Sequence, residues 1–264
     1  MALLTVDFFS ETLEMGTTLR VLLPEGATGH IGTPDTPLPP MPSGLPVLYL
    51  LHGLSDDSTA WLRYTSIDRY VGERPMAVVM PQVARSFYAD EAGGYPYWSY
   101  LCEELPAVVQ RMFRVSDSRE DTYVAGLSMG GYGALKWALR QPRRFAAAAS
   151  LSGALDVVGL AKADERGPLF RQVYGDRGPG PDDDLLDLLG RADPAELPRL
   201  WVSCGTEDHL LGSNHLFVER AEQAGVELTT RFGPGEHEWG VWDSTIRDVL
   251  AWLPPAPSAA GPST

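Results

Sequence analysis

Short apolar runs recur along the chain, and between them the hydrophobic pattern changes to one typical of helices. Val47–Leu51 is continuously apolar, as a parallel strand covered on both faces is expected to be. Further strands are predicted at Thr5–Phe9, Thr17–Leu23, Met76–Met80, Thr122–Ala125, Phe145–Leu151, Leu200–Cys204 and Val226–Phe232, and helices at Ser99–Phe113, Ser128–Arg140 and Trp239–Leu253. This alternation predicts a mostly parallel α/β sheet with helices on both faces.

The first two apolar runs lie outside this alternation. They flank a turn predicted around Met15-Gly16, so we expect an antiparallel hairpin or two adjacent strands at the edge of the sheet.

Two stretches rich in glycine and proline also interrupt the pattern. Residues 24–46 are predicted to form a surface loop without a function of its own. Between Gly153 and Pro198 no strand is predicted, and an insertion of this length is either a lid over a site or a surface insertion without a function. We expect one domain over residues 1–253, with a lid-like insert at about 154–198 and a disordered tail at 254–264.

Charge and cysteine content narrow the class of protein. The 264 residues include 35 acidic and 21 basic side chains, a formal net charge of −14, and such a surface repels nucleic acids and anionic membranes. The sequence contains no run of about 18 consecutive apolar residues, which is the length that a bilayer-spanning helix needs. The N-terminus lacks the pattern of a signal peptide. Cys102 and Cys204 lie far apart in apolar segments, so we expect buried thiols and a reducing, cytoplasmic location.

The motif Gly126-Leu127-Ser128-Met129-Gly130 is a G-x-S-x-G sequence between a predicted strand and a predicted helix. On such a turn the serine projects above the sheet, and side chains two residues away on either side would collide. Taken alone, the motif is also compatible with a glycine-rich turn between a strand and a helix that has no catalytic role. Because the strand and the helix are both present, we expect an α/β-hydrolase fold with Ser128 as the nucleophile.

An acidic residue should follow Ser128 in the chain and precede a histidine. Asp208 comes after the glycine turn that ends the strand Leu200–Cys204, at the sheet edge where catalytic groups collect. Glu207 is the reserve candidate, and capping of the turn is the alternative role for Asp208.

The expected base is His237, which lies past the last predicted strand and before the last helix. The segment after Asp208 leaves room for one helix and one strand. His209 and His215 are rivals that precede both elements, and His30 lies in the loop at 24–46.

A tetrahedral intermediate also needs two backbone amides that stabilise its negative oxygen. The loop His52-Gly53-Leu54 follows the strand Val47–Leu51, so we expect the Leu54 amide to pair with that of Met129. His52 is expected to brace this loop by hydrogen bonds. The mechanism requires no metal or organic cofactor, and the sequence contains no metal-ligand spacing, P-loop or dinucleotide fingerprint.

The chain resembles the esterase D-like α/β hydrolases, and most closely the tributyrin esterase group with its feruloyl-esterase relatives. The similarity extends over about residues 3–253 and includes PVLYLLHGLSDDSTAW, AGLSMGGYGALKWAL, CGTED and GEHEWGVW. The resemblance implies a cytoplasmic serine carboxylesterase that cleaves short acyl or aryl esters, in some members hydroxycinnamate esters. It carries the catalytic roles over to Ser128, Asp208 and His237 and the oxyanion roles to Leu54 and Met129. A homo-dimer or homo-tetramer would fit it.

Three alternatives share the predicted fold. An S-formylglutathione hydrolase-like thioesterase is the second choice, and an acyltransferase related to the mycolyltransferases would pass the acyl group to an alcohol. A binding module without activity would lack a triad residue, whereas all three are present. The loop after Met76–Met80 contains five aromatic residues: Phe87, Tyr88, Tyr95, Tyr97 and Trp98. They could line an acyl or aryl pocket, but for most of them we expect ordinary packing in the protein interior.

Overall fold

An eight-stranded β-sheet forms the centre of the computed structural model, which describes residues 1–24, 44–72, 74–163 and 166–254. The strands are Ala2–Ser10 (β1), Met15–Leu23 (β2), Val47–Leu51 (β3), Ala77–Pro81 (β4), Thr122–Leu127 (β5), Ala147–Leu151 (β6), Arg199–Gly205 (β7) and Leu228–Gly233 (β8). Their order across the sheet is β1-β2-β4-β3-β5-β6-β7-β8. The six strands from β4 to β8 are parallel, and the β1–β2 hairpin pairs antiparallel at one edge.

Helices follow the parallel strands along the chain. They are Ala60–Tyr64 (α1), Ile67–Val71 (α2), Tyr97–Ser99 (α3), Leu105–Met112 (α4), Met129–Arg140 (α5), Val157–Lys162 (α6), Gly167–Tyr174 (α7), Leu185–Arg191 (α8), Leu211–Gln223 (α9) and Trp239–Trp252 (α10). A π-helical segment, Tyr100–Glu104, joins α3 to α4, so the helix predicted at Ser99–Phe113 is composite. None of the helices in the described ranges is both long and apolar enough to cross a membrane.

The sheet separates two hydrophobic layers. Alternate residues of β3 point to opposite faces, so that Tyr49 packs in the layer with α4, α5, α8 and α9 while Leu48 packs in the layer with α1, α2 and α10. All residues of β3, β4, β5 and β6 are buried, which explains their continuous apolar character. The predicted fold class, with helices on both faces and an antiparallel edge, is confirmed.

The N-terminal hairpin turns earlier than predicted. Met15 and Gly16 belong to β2, where they pair with Ser10 and Phe9, so the turn lies at residues 11–14. Its position depends on a distant side chain, because the Glu104 carboxylate accepts hydrogen bonds from the turn. The prediction of a turn around Met15-Gly16 relied on the glycine, whereas the chain turns before it, where Glu104 holds the backbone.

The predicted loop, insert and tail differ in how much of them the structure describes. Residues 25–43 of the predicted loop and residues 255–264 of the predicted tail lie outside the described residues. The insert at 154–198 contains the helices α6, α7 and α8, whose bounds the sequence did not indicate. The division into one domain with a lid-like insert stays a prediction. Cys102 and Cys204 are buried free thiols, as predicted.

Candidate active site

Ser128 lies on the turn between β5 and α5, and its backbone is strained. Its φ and ψ angles of 53° and −118° lie in a region that L-residues rarely adopt. Hydrogen bonds hold this conformation: the Ser128 amide donates to the Leu151 carbonyl (2.9 Å), and the Ser128 carbonyl accepts from the amides of Tyr132 and Ala154 (both 3.1 Å). The end of β6, the loop after it and helix α5 therefore hold the strained backbone of Ser128.

Two glycines make this tight turn possible. A Cβ atom on Gly126 would lie 2.3 Å from the carbonyl oxygen of Gly130, and one on Gly130 would lie 2.4 Å from the carbonyl oxygen of Leu51. Both clashes are with backbone, which cannot rotate away as a side chain can. The collision that the G-x-S-x-G motif predicts is thus present in the structure.

The topology explains why three distant residues meet. Ser128 follows β5, Asp208 follows β7 and His237 follows β8, and the carboxyl ends of parallel strands lie at one edge of the sheet. Ser128 Oγ lies 3.0 Å from His237 Nε2, and His237 Nδ1 lies 2.8 Å from Asp208 Oδ2. A carboxylate can only accept, so Nδ1 carries the proton and donates to Asp208. Nε2 then accepts the hydrogen bond from the Ser128 hydroxyl.

Asp208 is buried, and its charge is compensated. Burial by itself would raise the pKa of this carboxyl group, but hydrogen bonds from His237 and from the Leu210 amide (2.8 Å) outweigh it and lower the pKa below the ordinary value. The group is therefore ionised at neutral pH and opposite the imidazole, where it stabilises a positive charge on His237.

The other candidate acids and bases have different environments. Glu207 has other partners, since its carboxylate accepts hydrogen bonds from the Gly235 amide (2.6 Å) and the Thr206 hydroxyl (2.8 Å). The ring of His215 packs against Phe232, and His30 lies outside the described residues.

His209 is closer to the site than the sequence suggested. Its ring meets that of His237 edge to face, with centroids 4.6 Å apart, although it lies on the solvent side. Asp208, His209 and His237 each offer a potential metal ligand atom, and these atoms lie within 4.8 Å of one another.

The loop after β3 reaches the same edge of the sheet. Leu54 and Met129 both line the cavity that contains Ser128 and His237. His52 is buried and braces this loop, because its Nδ1 donates to the Gly53 carbonyl (2.8 Å) and its Nε2 accepts from the Val83 amide (3.2 Å). Burial lowers the pKa of His52, which keeps the ring neutral. The predicted bracing role of His52 is confirmed.

A cavity of about 510 Å³ opens over Ser128. Apolar side chains from distant parts of the chain form much of its wall: Leu160 and Phe170 of the insert, Phe87 of the loop after β4, and Trp239 and Trp242 of α10. The indole of Trp242 lies edge to face against the His237 ring, with centroids 4.8 Å apart. An apolar wall beside the hydrogen-bonded side chains of Ser128, His237 and Asp208 suits a ligand with one reactive polar group.

Two arginines that sequence reasoning missed also line this cavity. Arg85 comes from the loop after β4 and Arg166 from the start of α7, and neither forms an ion pair with another residue in the part of the chain that the structure describes. No short-range signal marks them, because they meet only through the fold. Of the five predicted aromatic residues, Phe87 lines the cavity, whereas Tyr88 is fully buried and its hydroxyl donates to the His52 carbonyl (2.9 Å).

Comparison with known proteins places this geometry in a family. The Esterase family model, described as "Putative esterase", matches residues 10–253. The chain is 28% identical to an acetyl esterase of Caldicellulosiruptor saccharolyticus over 266 residues, which cover 96% of this chain and 98% of the relative.

Two solved structures from Staphylococcus aureus are similar throughout. The fluorophosphonate-binding serine hydrolase F has a TM-score of 0.85 and 34% identity, and an S-formylglutathione hydrolase has a TM-score of 0.79 and 33% identity. Each match covers 96% of this chain and 98% of the solved chain. The chain therefore belongs to the Esterase family of α/β hydrolases and is a carboxylic ester hydrolase.

Proposed function

We propose that the chain hydrolyses short-chain acyl or aryl esters, hydroxycinnamoyl esters among them, through an acyl-enzyme on Ser128. The observation that carries this proposal is the chain of hydrogen bonds from the Ser128 hydroxyl through His237 to the buried Asp208. It lies in the wall of a cavity large enough for a small ester.

In the first step, Ser128 Oγ attacks the carbonyl carbon of the ester while His237 Nε2 takes the hydroxyl proton. The imidazole becomes positively charged, and the ionised Asp208 stabilises that charge through Nδ1. The ordinary hydroxyl is a poor nucleophile, so this transfer of its proton makes the attack feasible.

The carbonyl oxygen becomes negatively charged in the tetrahedral intermediate. The amides of Leu54 and Met129 are the proposed donors to it, since both residues line the cavity beside Ser128. The Met129 amide is also the first of helix α5, where the aligned peptide dipoles favour negative charge. Each such donor contributes on the order of 3 kcal/mol to the stability of the transition state.

The intermediate then collapses. The bond between the carbonyl carbon and the alcohol oxygen breaks, and His237 gives its proton to the leaving alcohol. A water molecule follows the reverse route: His237 accepts its proton, its oxygen attacks the acyl carbon, and Ser128 leaves with the proton from His237. The products are one alcohol and one carboxylic acid, and the enzyme returns to its starting state.

Aromatic and aliphatic side chains of the cavity wall are the proposed contacts for the acyl group. Phe170 lies 5.1 Å from Phe87, measured between ring centroids, and the two rings form an apolar surface inside the cavity. Part of that surface comes from the insert at 154–198, so we propose that the insert closes the substrate site.

Turnover of a series of p-nitrophenyl esters, from acetate to decanoate, beside methyl ferulate tests the proposal. We expect the highest kcat/KM for short chains, since the relative from Caldicellulosiruptor saccharolyticus that matches almost the whole chain is an acetyl esterase. A fluorophosphonate probe should also label Ser128 covalently, and mass spectrometry of the labelled peptide identifies the residue. The assignment fails if none of these esters is hydrolysed.

Thioester hydrolysis is the second candidate, and the two arginines that line the cavity favour it. A glutathione thioester carries carboxylates, which Arg85 and Arg166 could bind at the cavity. Comparing kcat/KM for S-formylglutathione with that for p-nitrophenyl acetate separates the two functions. Product analysis with an added alcohol distinguishes hydrolysis from acyl transfer, since a transferase would form a new ester.

A further inference from the structure

An imidazole outside the proposed triad lies beside two triad residues. His209 Nδ1 is 3.6 Å from Asp208 Oδ1, and the ring of His209 lies against that of His237. Two imidazoles and a carboxylate are the donor set that Zn²⁺ and similar divalent transition metals prefer. The triad itself uses Asp208 and His237 and does not require His209.

The donor atoms are placed for a metal ion with little rearrangement. They lie within 4.8 Å of one another, whereas ligands at about 2.1 Å from a tetrahedral zinc ion are roughly 3.4 Å apart. His209 supplies the necessary movement, because its side chain is 67% exposed and its distance to Asp208 is too long for a hydrogen bond. Asp208, by contrast, is held by the Leu210 amide.

We propose that Asp208, His209 and His237 form a site for a divalent transition metal such as Zn²⁺, and that its occupation switches the enzyme off. The cavity beside these residues lets water complete the coordination sphere. The inhibitory part of this inference rests on the proposed function, whereas the binding part does not.

The inhibition follows from the tautomer of His237. In the metal-free site Nδ1 carries the proton and Nε2 accepts the hydrogen bond from Ser128. A metal ion on Nδ1 displaces that proton, and a neutral imidazole then carries its proton on Nε2. No net proton leaves His237, but Nε2 can no longer take the proton of Ser128. The metal also engages the carboxylate that orients the ring.

The cysteines do not compete for the metal. Thiolates are strong zinc ligands, but both thiols are buried, and neither belongs to the group of ligand atoms formed by Asp208, His209 and His237. Inhibition by zinc can therefore be attributed to the histidine cluster and not to thiol modification.

The test combines calorimetry with an assay. The chelator-treated enzyme is titrated with Zn²⁺, binding is measured by isothermal titration calorimetry, and hydrolysis of p-nitrophenyl acetate is followed in parallel. We expect one zinc ion per chain, loss of activity in step with binding, and recovery with EDTA. In His209→Gln, binding and inhibition should both weaken by about ten-fold or more, since lost ligand-shell interactions cost this much at zinc sites.

His215→Gln is the matched control, because it removes an exposed imidazole that lies against Phe232 and outside the cluster. It should bind zinc and be inhibited as the wild type is. Equal inhibition of the wild type and His209→Gln would overturn the proposal, and so would stoichiometric binding without loss of activity. An enzyme that binds zinc through His209 but hydrolyses no ester would instead refute the proposed function.

Discussion

The turn that carries Ser128 and the insert that faces it across the cavity are held in place by different kinds of contact. Around Ser128 the contact between Gly126 and Gly130 is local, and Gly130 also packs against the Leu51 carbonyl at the end of β3. The insert is attached through a long-range pair, in which buried Lys136 of α5 donates to Asp183 (2.7 Å). A short sequence motif is enough to predict a local contact such as that between Gly126 and Gly130. We propose that the turn sets the reaction and that the insert sets the choice of substrate.

The largest effect should come from the serine itself. Ser128→Ala removes the proposed nucleophile without changing the packing, so we expect kcat for p-nitrophenyl acetate to fall by about 10⁴-fold or more. The melting temperature should stay close to that of the wild type, because the backbone contacts of Ser128 do not involve its hydroxyl. Activity close to that of the wild type in this variant would move the nucleophile elsewhere.

The second prediction breaks the connection between the two regions. Lys136→Met removes a buried cation that also donates to the Tyr88 carbonyl (2.9 Å), and it leaves the mostly buried Asp183 without its partner. We expect the free energy of unfolding to fall by about 3 kcal/mol, measured by urea denaturation.

An exposed ion pair provides the control for that loss. Arg143 and Glu196 are 82% and 41% exposed, so Arg143→Met should change stability by less than about 1 kcal/mol. Equal losses in the two variants would show that the insert is not held to α5 through Lys136.

The same contrast explains what the sequence could predict. The parallel strands β3 to β7 are almost entirely buried, whereas β8 is partly exposed and was predicted from its position in the alternation. Ser128, Asp208 and His237 follow β5, β7 and β8, so the alternation placed them at one edge. Arg85 and Arg166 carry no comparable signal, since their segments meet only after the chain has folded. The contact between Glu104 and the turn at residues 11–14 also joins distant parts of the chain, and no local pattern indicated it. The oxyanion roles of Leu54 and Met129 and the oligomeric state stay predictions.

A smaller effect is expected in the wall of the cavity. Phe170→Leu keeps the site apolar but removes a ring that stacks on Tyr174 and approaches Phe87. Such aromatic contacts contribute about 0.5–1.5 kcal/mol, so the ratio of kcat/KM for methyl ferulate to that for p-nitrophenyl acetate should fall by roughly two- to ten-fold. Phe145→Leu, at a buried ring that packs on Trp137 away from the cavity, should leave the ratio unchanged. If both variants shift the ratio alike, the insert does not select the substrate.

The smallest effect concerns the dependence of stability on pH. The folded-state pKa of Asp208 lies below its ordinary value, so its ionised form contributes stability that is fully present above an ordinary aspartate pKa of about 3.9 and is lost as pH falls through the lowered pKa. In urea denaturation between pH 7 and pH 3, Asp208→Asn should therefore be less stable than the wild type at neutral pH, and the difference should shrink at the acidic end.

Asp182→Asn is the matching change on the insert, where the carboxylate is 60% exposed and its pairs with Arg140 and Arg191 are screened by solvent. It should follow the wild-type curve. A constant difference between Asp208→Asn and the wild type at every pH would mean that the contribution of Asp208 lies in packing and hydrogen-bond geometry. The charge that this carboxylate holds opposite His237 would then be irrelevant to folding, and the stabilisation of the imidazolium would have to be measured in catalysis alone.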